Sequence, residues 1–209
     1  MNKIKIAILI SGKGRGSNMS AIIKACKGNI INGDVSLVIG INNNSPAMMI
    51  AKELGVKTCV ISPKSFDNEE SYQNSIYEVI KSESIDLICL AGYMRLLGQQ
   101  VLDNYKFRIM NVHAALIPMF SGKGMYGHHI HEAAIRRGVK YSGCTVHFID
   151  ENYDTGPIIK QAIVDVVESD TPENLAARIL PMEHKTYVEC VKLFSEGKIT
   201  VKDNKVFIK

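Results

Sequence analysis

The run Met110-Asn111-Val112-His113-Ala114-Ala115-Leu116-Ile117-Pro118 holds the side chains best suited to chemistry. An apolar stretch delivers an asparagine and a histidine, two apart, to its carboxyl end. In an extended segment side chains alternate, so Asn111 and His113 fall on one side. An amide donor beside a titratable imidazole suits a reaction that builds negative charge on oxygen. Spacing alone is equally compatible with a strand that simply ends in polar residues. Downstream, Asp154 stands in Asp150-Glu151-Asn152-Tyr153-Asp154-Thr155-Gly156-Pro157, between two β-type runs. A carboxylate beside an imidazole favours the charged ring and fixes its orientation. Asn, His and Asp together serve acyl transfer when the nucleophile belongs to the substrate: the imidazole manages protons, the amide holds the oxyanion and the carboxylate supports the imidazole. No serine or cysteine stands where a nucleophile elbow would require it.

A second feature lies near the amino terminus, in Ser11-Gly12-Lys13-Gly14-Arg15-Gly16-Ser17-Asn18. It follows a short apolar run (residues 4–10) and precedes helical apolar spacing from Met19 to Cys26. Strand, glycine-rich turn and helix together aim backbone N–H groups at an anion. No Gly-Lys-Ser/Thr closes the turn, and its glycines are spaced two and two. It is therefore neither a Walker loop nor the dinucleotide fingerprint. A plain tight turn and a phosphate site both remain open.

The elements that must position these residues alternate. Further strands are predicted over residues 35–41, 57–61, 85–91 and 108–112, with helices from Pro46 to about Leu54 and over residues 68–82. Ser45 reads as a helix N-cap with Pro46 in the first turn. Strand–helix alternation predicts an α/β fold, a doubly wound, mostly parallel sheet with right-handed crossovers. After a glycine-rich loop (120–127) and a helix over 128–137, the pattern changes. Runs 141–149 and 158–167 have no helix between them and should pair antiparallel. A long helix opening at Thr171-Pro172-Glu173, with Thr171 or Asp170 as N-cap, runs to about Glu196, and residues 197–209, with a turn at Asp203-Asn204, read as a small hairpin.

At 209 residues, 46% hydrophobic and 22% charged, the chain suits one domain with a sizeable core. A net charge of +4, dispersed along the sequence, is too mild to argue for nucleic acid. The five cysteines (26, 59, 89, 144, 190) are scattered and form no Cys-x-x-Cys, which predicts reduced, mostly buried thiols in a reducing compartment. No signal peptide or membrane-length apolar stretch stands out, so a cytoplasmic location is expected.

With the elements in place, the chain resembles the folate-dependent glycinamide ribonucleotide formyltransferases. The match rests on Ile10-Ser11-Gly12, Gly16-Ser17-Asn18, Ala91-Gly92-Tyr93-Met94-Arg95, Asn111-Val112-His113, Leu116-Ile117-Pro118, His147-Phe148, Asp154-Thr155-Gly156-Pro157 and Glu183-His184. These occur in the family's order over nearly the full length. The resemblance implies a formyltransferase-like Rossmann variant over residues 1–209, with a nucleotide- and phosphate-binding half (1–110) and a catalytic, folate-binding half (111–209). It implies 10-formyltetrahydrofolate as co-substrate, glycinamide ribonucleotide as acceptor, no metal, no nucleic acid or membrane partner, and a monomer or homodimer. Carried over by position, His113 is the acid/base, Asn111 the oxyanion donor and Asp154 the support for His113. Gly16, Ser17 and Asn18 hold the phosphate and Glu183 the ribose. Met94, Arg95, Leu96 and Leu97 line the folate pocket with Asn111 and the loop from Asp150 to Asp154, Asp150 and Glu151 foremost.

Three departures stand out. The family commonly continues its histidine with Pro-Ser or Pro-Ala, whereas this chain has Ala114-Ala115; the freed backbone should loosen the site. The longer phosphate turn leaves Lys13 and Arg15 without a role. Glu69 stands where many relatives place a basic residue toward the folate tail.

Other readings compete. Another formyl-transferring or hydrolysing relative usually carries an additional domain. A non-catalytic folate- or nucleotide-binding module would not need the Asn111/His113/Asp154 trio. A dinucleotide-dependent oxidoreductase lacks its fingerprint and ribose carboxylate. His128, His129 and His131 do not match usual zinc spacing and read as a helix-start cluster, solvated or substrate-adjacent. His147, inside an apolar strand, reads as a satisfied core histidine.

Overall fold

The computed structural model describes residues 2–12 and 14–209; Lys13 lies outside the described residues. Seven strands form the central sheet: β1 (Ile4–Leu9), β2 (Gly33–Gly40), β3 (Thr58–Val60), β4 (Leu87–Leu90), β5 (Ile109–His113), β6 (Tyr141–Phe148) and β7 (Ile158–Asp165). Their spatial order is β3-β2-β1-β4-β5-β6-β7. The first five pair in parallel. β6 runs antiparallel to β5, and β7 antiparallel to β6. The direction of winding reverses between β1 and β4, and the crevice at such a switch point is where open α/β sheets bind ligands.

The alternation of strand side chains sorts the core into two layers. Ile6 and Ile8 face one side and Ala7 and Leu9 the other. On the first side lie α1 (Ser17–Lys27), α2 (Pro46–Glu53) and α6 (Pro172–Ser195), through Ile22, Met48 and Tyr187. On the second lie α3 (Glu69–Ser82) and α4 (Gln99–Asn104), through Tyr72, Ile76 and Val101. α5 (His128–Arg137) packs with β6 and α6 through Ala134, Cys144 and Ile179. A two-stranded hairpin, β8 (Ile199–Lys202) and β9 (Lys205–Ile208), turns at Asp203 and Asn204.

Helix starts follow capping chemistry. Ser45 accepts from the Met48 N–H with Pro46 behind it, Asn68 from Ser71, and Thr171 from Asn174 with Pro172 at the first turn. α4 is an addition to the predicted elements: over its six residues only Val101 is buried, too little to show a period. Tyr187 donates to the Leu90 and Met110 carbonyls, tying α6 to the ends of β4 and β5. Cys26, Cys89, Cys144 and Cys190 are buried and all five thiols are free. Burial pushes Cys26 and Cys144 up to about 11. Among the described residues, no helix is long and apolar enough to cross a membrane.

Candidate active site

Asn111 and His113 leave β5 on the face predicted from their spacing, and the neighbouring strand adds a third polar side chain. Asn111 pairs across the ladder with His147, and His113 with Thr145. Directly opposed residues of an antiparallel pair project side by side, which brings the Asn111 amide against the His147 ring. The Asn111 Nδ2 group lies 3.3 Å from His147 Nε2, and His147 Nδ1 lies 2.8 Å from the Phe148 carbonyl. A carbonyl only accepts, so Nδ1 carries the hydrogen; Nε2 then presents a lone pair that accepts from the amide.

Asp154 enters from the β6–β7 loop, its backbone in the left-handed region at φ 58°. The carboxylate bridges two imidazoles: Oδ2 is 3.7 Å from His113 Nδ1 and Oδ1 is 3.6 Å from His147 Nε2. Oδ2 also accepts from the Gly122 N–H at 2.9 Å, fastening the glycine-rich loop to the site. His113 Nε2 donates to the Phe120 carbonyl at 2.8 Å, which leaves Nδ1 as its proton-accepting nitrogen. Side-chain exposures of 0% for His147, 6% for His113 and 12% for Asp154 put the group largely out of water, where charge interactions strengthen. Burial outweighs Asp154 in holding His147 below the usual histidine range.

The segment after β5 is held despite Ala114. Thr145 Oγ1 donates to the Ala115 carbonyl at 2.7 Å and accepts from the Ile117 N–H at 3.0 Å. Gln161 bonds both the Ile117 carbonyl and Thr145. The backbone freedom expected of His113-Ala114-Ala115 is taken up by β6 and β7.

A cavity of about 60 Å³ opens beside this group, lined by Leu90, Tyr93, Arg95, Leu96, Leu97, Asn111, Ile149, Asn152, Tyr153 and Asp154. Arg95, Leu96, Leu97 and Asn111 are the expected residues, as are Asn152, Tyr153 and Asp154 of the 150–154 loop; Leu90, Tyr93 and Ile149 are additions. Met94 is exposed and lies outside the lining. Asp150 and Glu151 instead border a separate groove of about 610 Å³ with α4 and the β8–β9 turn. Asp150 accepts from Asn152 and Thr155, shaping the loop that carries Asp154. Arg95 is paired with Glu69 and stacks over Tyr72, its guanidinium carbon 5.3 Å from the ring centroid. Bonds from Gln73 and then Arg95 hold Glu69 below the usual carboxylate range.

The glycine-rich turn before α1 meets α6. Gly16 caps α1 at φ 72°, and a Cβ there would come within 2.8 Å of the Ala47 Cβ, so glycine lets α1 and α2 start side by side. Asn18 donates to Glu183 at 2.7 Å, and burial raises the Glu183 carboxyl above its ordinary value against that bond. Asn18 Oδ1 and His184 Nε2 are buried without a hydrogen-bond partner among the described residues. Burial also lowers His184. Arg15 is exposed.

Two histidines differ from their sequence reading. His147 is buried, as expected of a core residue, yet its ring forms one wall of the Asn111–Asp154 arrangement. No local signal reveals this, because the register of β6 against β5 sets it. His131 is buried rather than solvated, while His128 and His129 are exposed. Among the described residues no group of three or more His, Cys, Asp or Glu side chains could hold a metal.

Residues 4–191 match the family described as Formyl transferase. The phosphoribosylglycinamide formyltransferase of Bacillus subtilis (strain 168) is 37% identical over 190 residues, covering 90% of this chain and 93% of the relative. That of Escherichia coli (strain K12) is 32% identical over 205 residues, 98% and 93% of the two chains. The crystal structure of glycinamide ribonucleotide transformylase 1 from Symbiobacterium toebii superposes with a TM-score of 0.92 at 37% identity, covering 99% of this chain and 94% of that one.

Proposed function

We infer the reaction from one premise: the chain belongs to the formyl transferase family, among its phosphoribosylglycinamide formyltransferases. The reaction is transfer of the formyl group of 10-formyltetrahydrofolate to the amine of glycinamide ribonucleotide, a step of purine biosynthesis. The observation that carries it is the Asp154 carboxylate beside the proton-accepting Nδ1 of His113, with the Asn111 amide held alongside by His147 Nε2. Such a site is built to receive one proton and to stabilise one oxyanion. It contains no side chain placed as a nucleophile, which fits an attacking amine brought by the substrate.

The amine nitrogen attacks the formyl carbon; a C–N bond forms and the carbonyl pair moves onto oxygen. The second N–H of Asn111, the one not used by His147, donates to that oxyanion. His113 Nδ1 takes the amine proton, and the imidazolium is then a counter-charge to Asp154 at 3.7 Å. Collapse of the tetrahedral intermediate breaks the bond to the folate N10, which leaves with a proton returned by His113. No covalent enzyme adduct forms.

Gly16, Ser17 and Asn18 receive the phosphate end of the ribonucleotide, since the amino end of α1 offers backbone donors. Glu183, bonded to the Asn18 amide, takes the ribose hydroxyls. Arg95, Leu96 and Leu97 take the folate ring system together with Tyr93 and Tyr153. The free thiols and small-molecule substrates suit a cytoplasmic enzyme.

The deciding experiment follows formyl transfer from 10-formyltetrahydrofolate to glycinamide ribonucleotide, with His113→Ala alongside. Turnover in the wild type that is lost in the variant supports both the substrate pair and the role of His113. Folate binding without transfer would redirect the reading to a different formyl acceptor.

A further inference from the structure

We propose that His147 is a positioning residue of this reaction: its uncharged ring fixes which way the Asn111 amide faces and leaves Asp154 free to serve His113. The inference rests on the formyl-transfer reading. Its starting point is the Phe148 carbonyl, which accepts from His147 Nδ1 and so fixes the tautomer. Nε2 is then an acceptor at 3.3 Å from Asn111, and only the amide nitrogen can face it. The amide has one further N–H, and that is the donor available for the oxyanion. A His147 that gained a proton at Nε2 would reverse this. It would repel the amide N–H and turn Asn111 so that its oxygen met the ring. It would also pair with Asp154 Oδ1, 3.6 Å away, and so neutralise the carboxylate that the imidazolium of His113 needs.

The titratable groups facing His147 are Asp154, Asp150 and His113. The two carboxylates favour a charged ring and His113 opposes one, but full burial of the ring dominates and keeps it neutral. Two walls hold the arrangement: the β5–β6 register, and the backbone of Gly156 packed against the Phe148 carbonyl.

The test uses the full-length enzyme with two variants. His147→Phe keeps the ring volume and removes the acceptor; His147→Gln retains an acceptor oxygen. For a lost buried acceptor, kcat in His147→Phe is expected to fall roughly 10–100-fold, while KM for both substrates changes only a few-fold. His147→Gln is expected to recover most of that loss. Turnover within twofold of wild type in His147→Phe, or equal loss in both variants with unchanged thermal stability, overturns the proposal. Ring nitrogen NMR of the wild type gives a readout independent of catalysis. The Nδ1–H neutral form is expected at neutral pH, and a charged His147 ring there overturns the proposal. If the wild type transfers no formyl group to the ribonucleotide, the reaction assignment fails on its own; the ring spectrum still decides whether His147 orients Asn111.

Discussion

The hydrogen bonds that the fold uses at each imidazole decide which nitrogen remains for the proposed chemistry. His113 spends Nε2 on the Phe120 carbonyl and keeps Nδ1, and His147 spends Nδ1 on the Phe148 carbonyl and Nε2 on the Asn111 amide. His113→Ala removes the nitrogen proposed to take the substrate proton, so kcat is expected to fall by ~10²–10⁴, with a far smaller change in KM; steady-state kinetics checks both. Asp154→Asn replaces the counter-charge by a neutral amide, and is expected to lower kcat while the ribonucleotide KM stays within a few-fold. Equal effects on both constants would place Asp154 in binding instead. Glu69 acts through Arg95, whose guanidinium it pairs with at the edge of the cavity. An exposed pair of this kind contributes about 0–1 kcal/mol to folding, so Glu69→Gln should leave Tm nearly unchanged. It should lower KM for the formyl-folate a few-fold by releasing Arg95 toward the carboxylates of the folate tail; an unchanged KM would show that Arg95 makes no such contact.

At the scale of elements, the β6–β7 connection controls the site. Gly156 follows Asp154, and a Cβ there would run into the Phe148 carbonyl oxygen, the acceptor of the His147 bond. Gly156→Ala therefore forces the loop and the end of β6 apart. Overpacking of this kind costs about 1–3 kcal/mol, and kcat should fall with it because Asp154 and His147 both shift. A variant with lowered Tm but wild-type kcat would show that the loop carries Asp154 independently of β6. This dependence on long-range pairing also decides what the sequence discloses. Continuous apolar strands, Ser45 and Thr171 caps and the period-two placement of Asn111 and His113 are local, and each is readable from neighbours in the chain. The contact of Asn111 with His147 is not, since it needs β6 to lie antiparallel to β5 across an intervening helix. The burial of His131 and the place of Tyr93 and Ile149 in the cavity wall likewise come from packing between distant segments. α4 escaped because a single buried residue makes no pattern.

Across the whole molecule, the proposed ribonucleotide end of the site exists only once the chain has closed on itself. Asn18 opens the first helix and Glu183 lies on the last long one, 165 residues apart, both on the same face of the sheet. The hydrogen bond between them sits where burial disfavours the Glu183 charge and raises its carboxyl above the ordinary value. The native state therefore binds that proton more tightly than the unfolded chain does. In the pH interval between the ordinary value and the raised one, stability falls as pH rises. Above the raised value the penalty is constant, and below the ordinary value it is absent. Glu183→Gln keeps an acceptor oxygen for Asn18 and removes the charge. Its Tm at neutral pH should accordingly exceed that of the wild type by a few degrees, and the difference should shrink as the pH is lowered through the carboxyl range. The same variant should bind the ribonucleotide less well, because a neutral amide is a weaker acceptor for ribose hydroxyls than a carboxylate. Stability gained together with affinity lost would mark Glu183 as a charge retained for function. A melting temperature that falls in the variant at neutral pH would instead make the Asn18–Glu183 bond a net structural tie between the two helices.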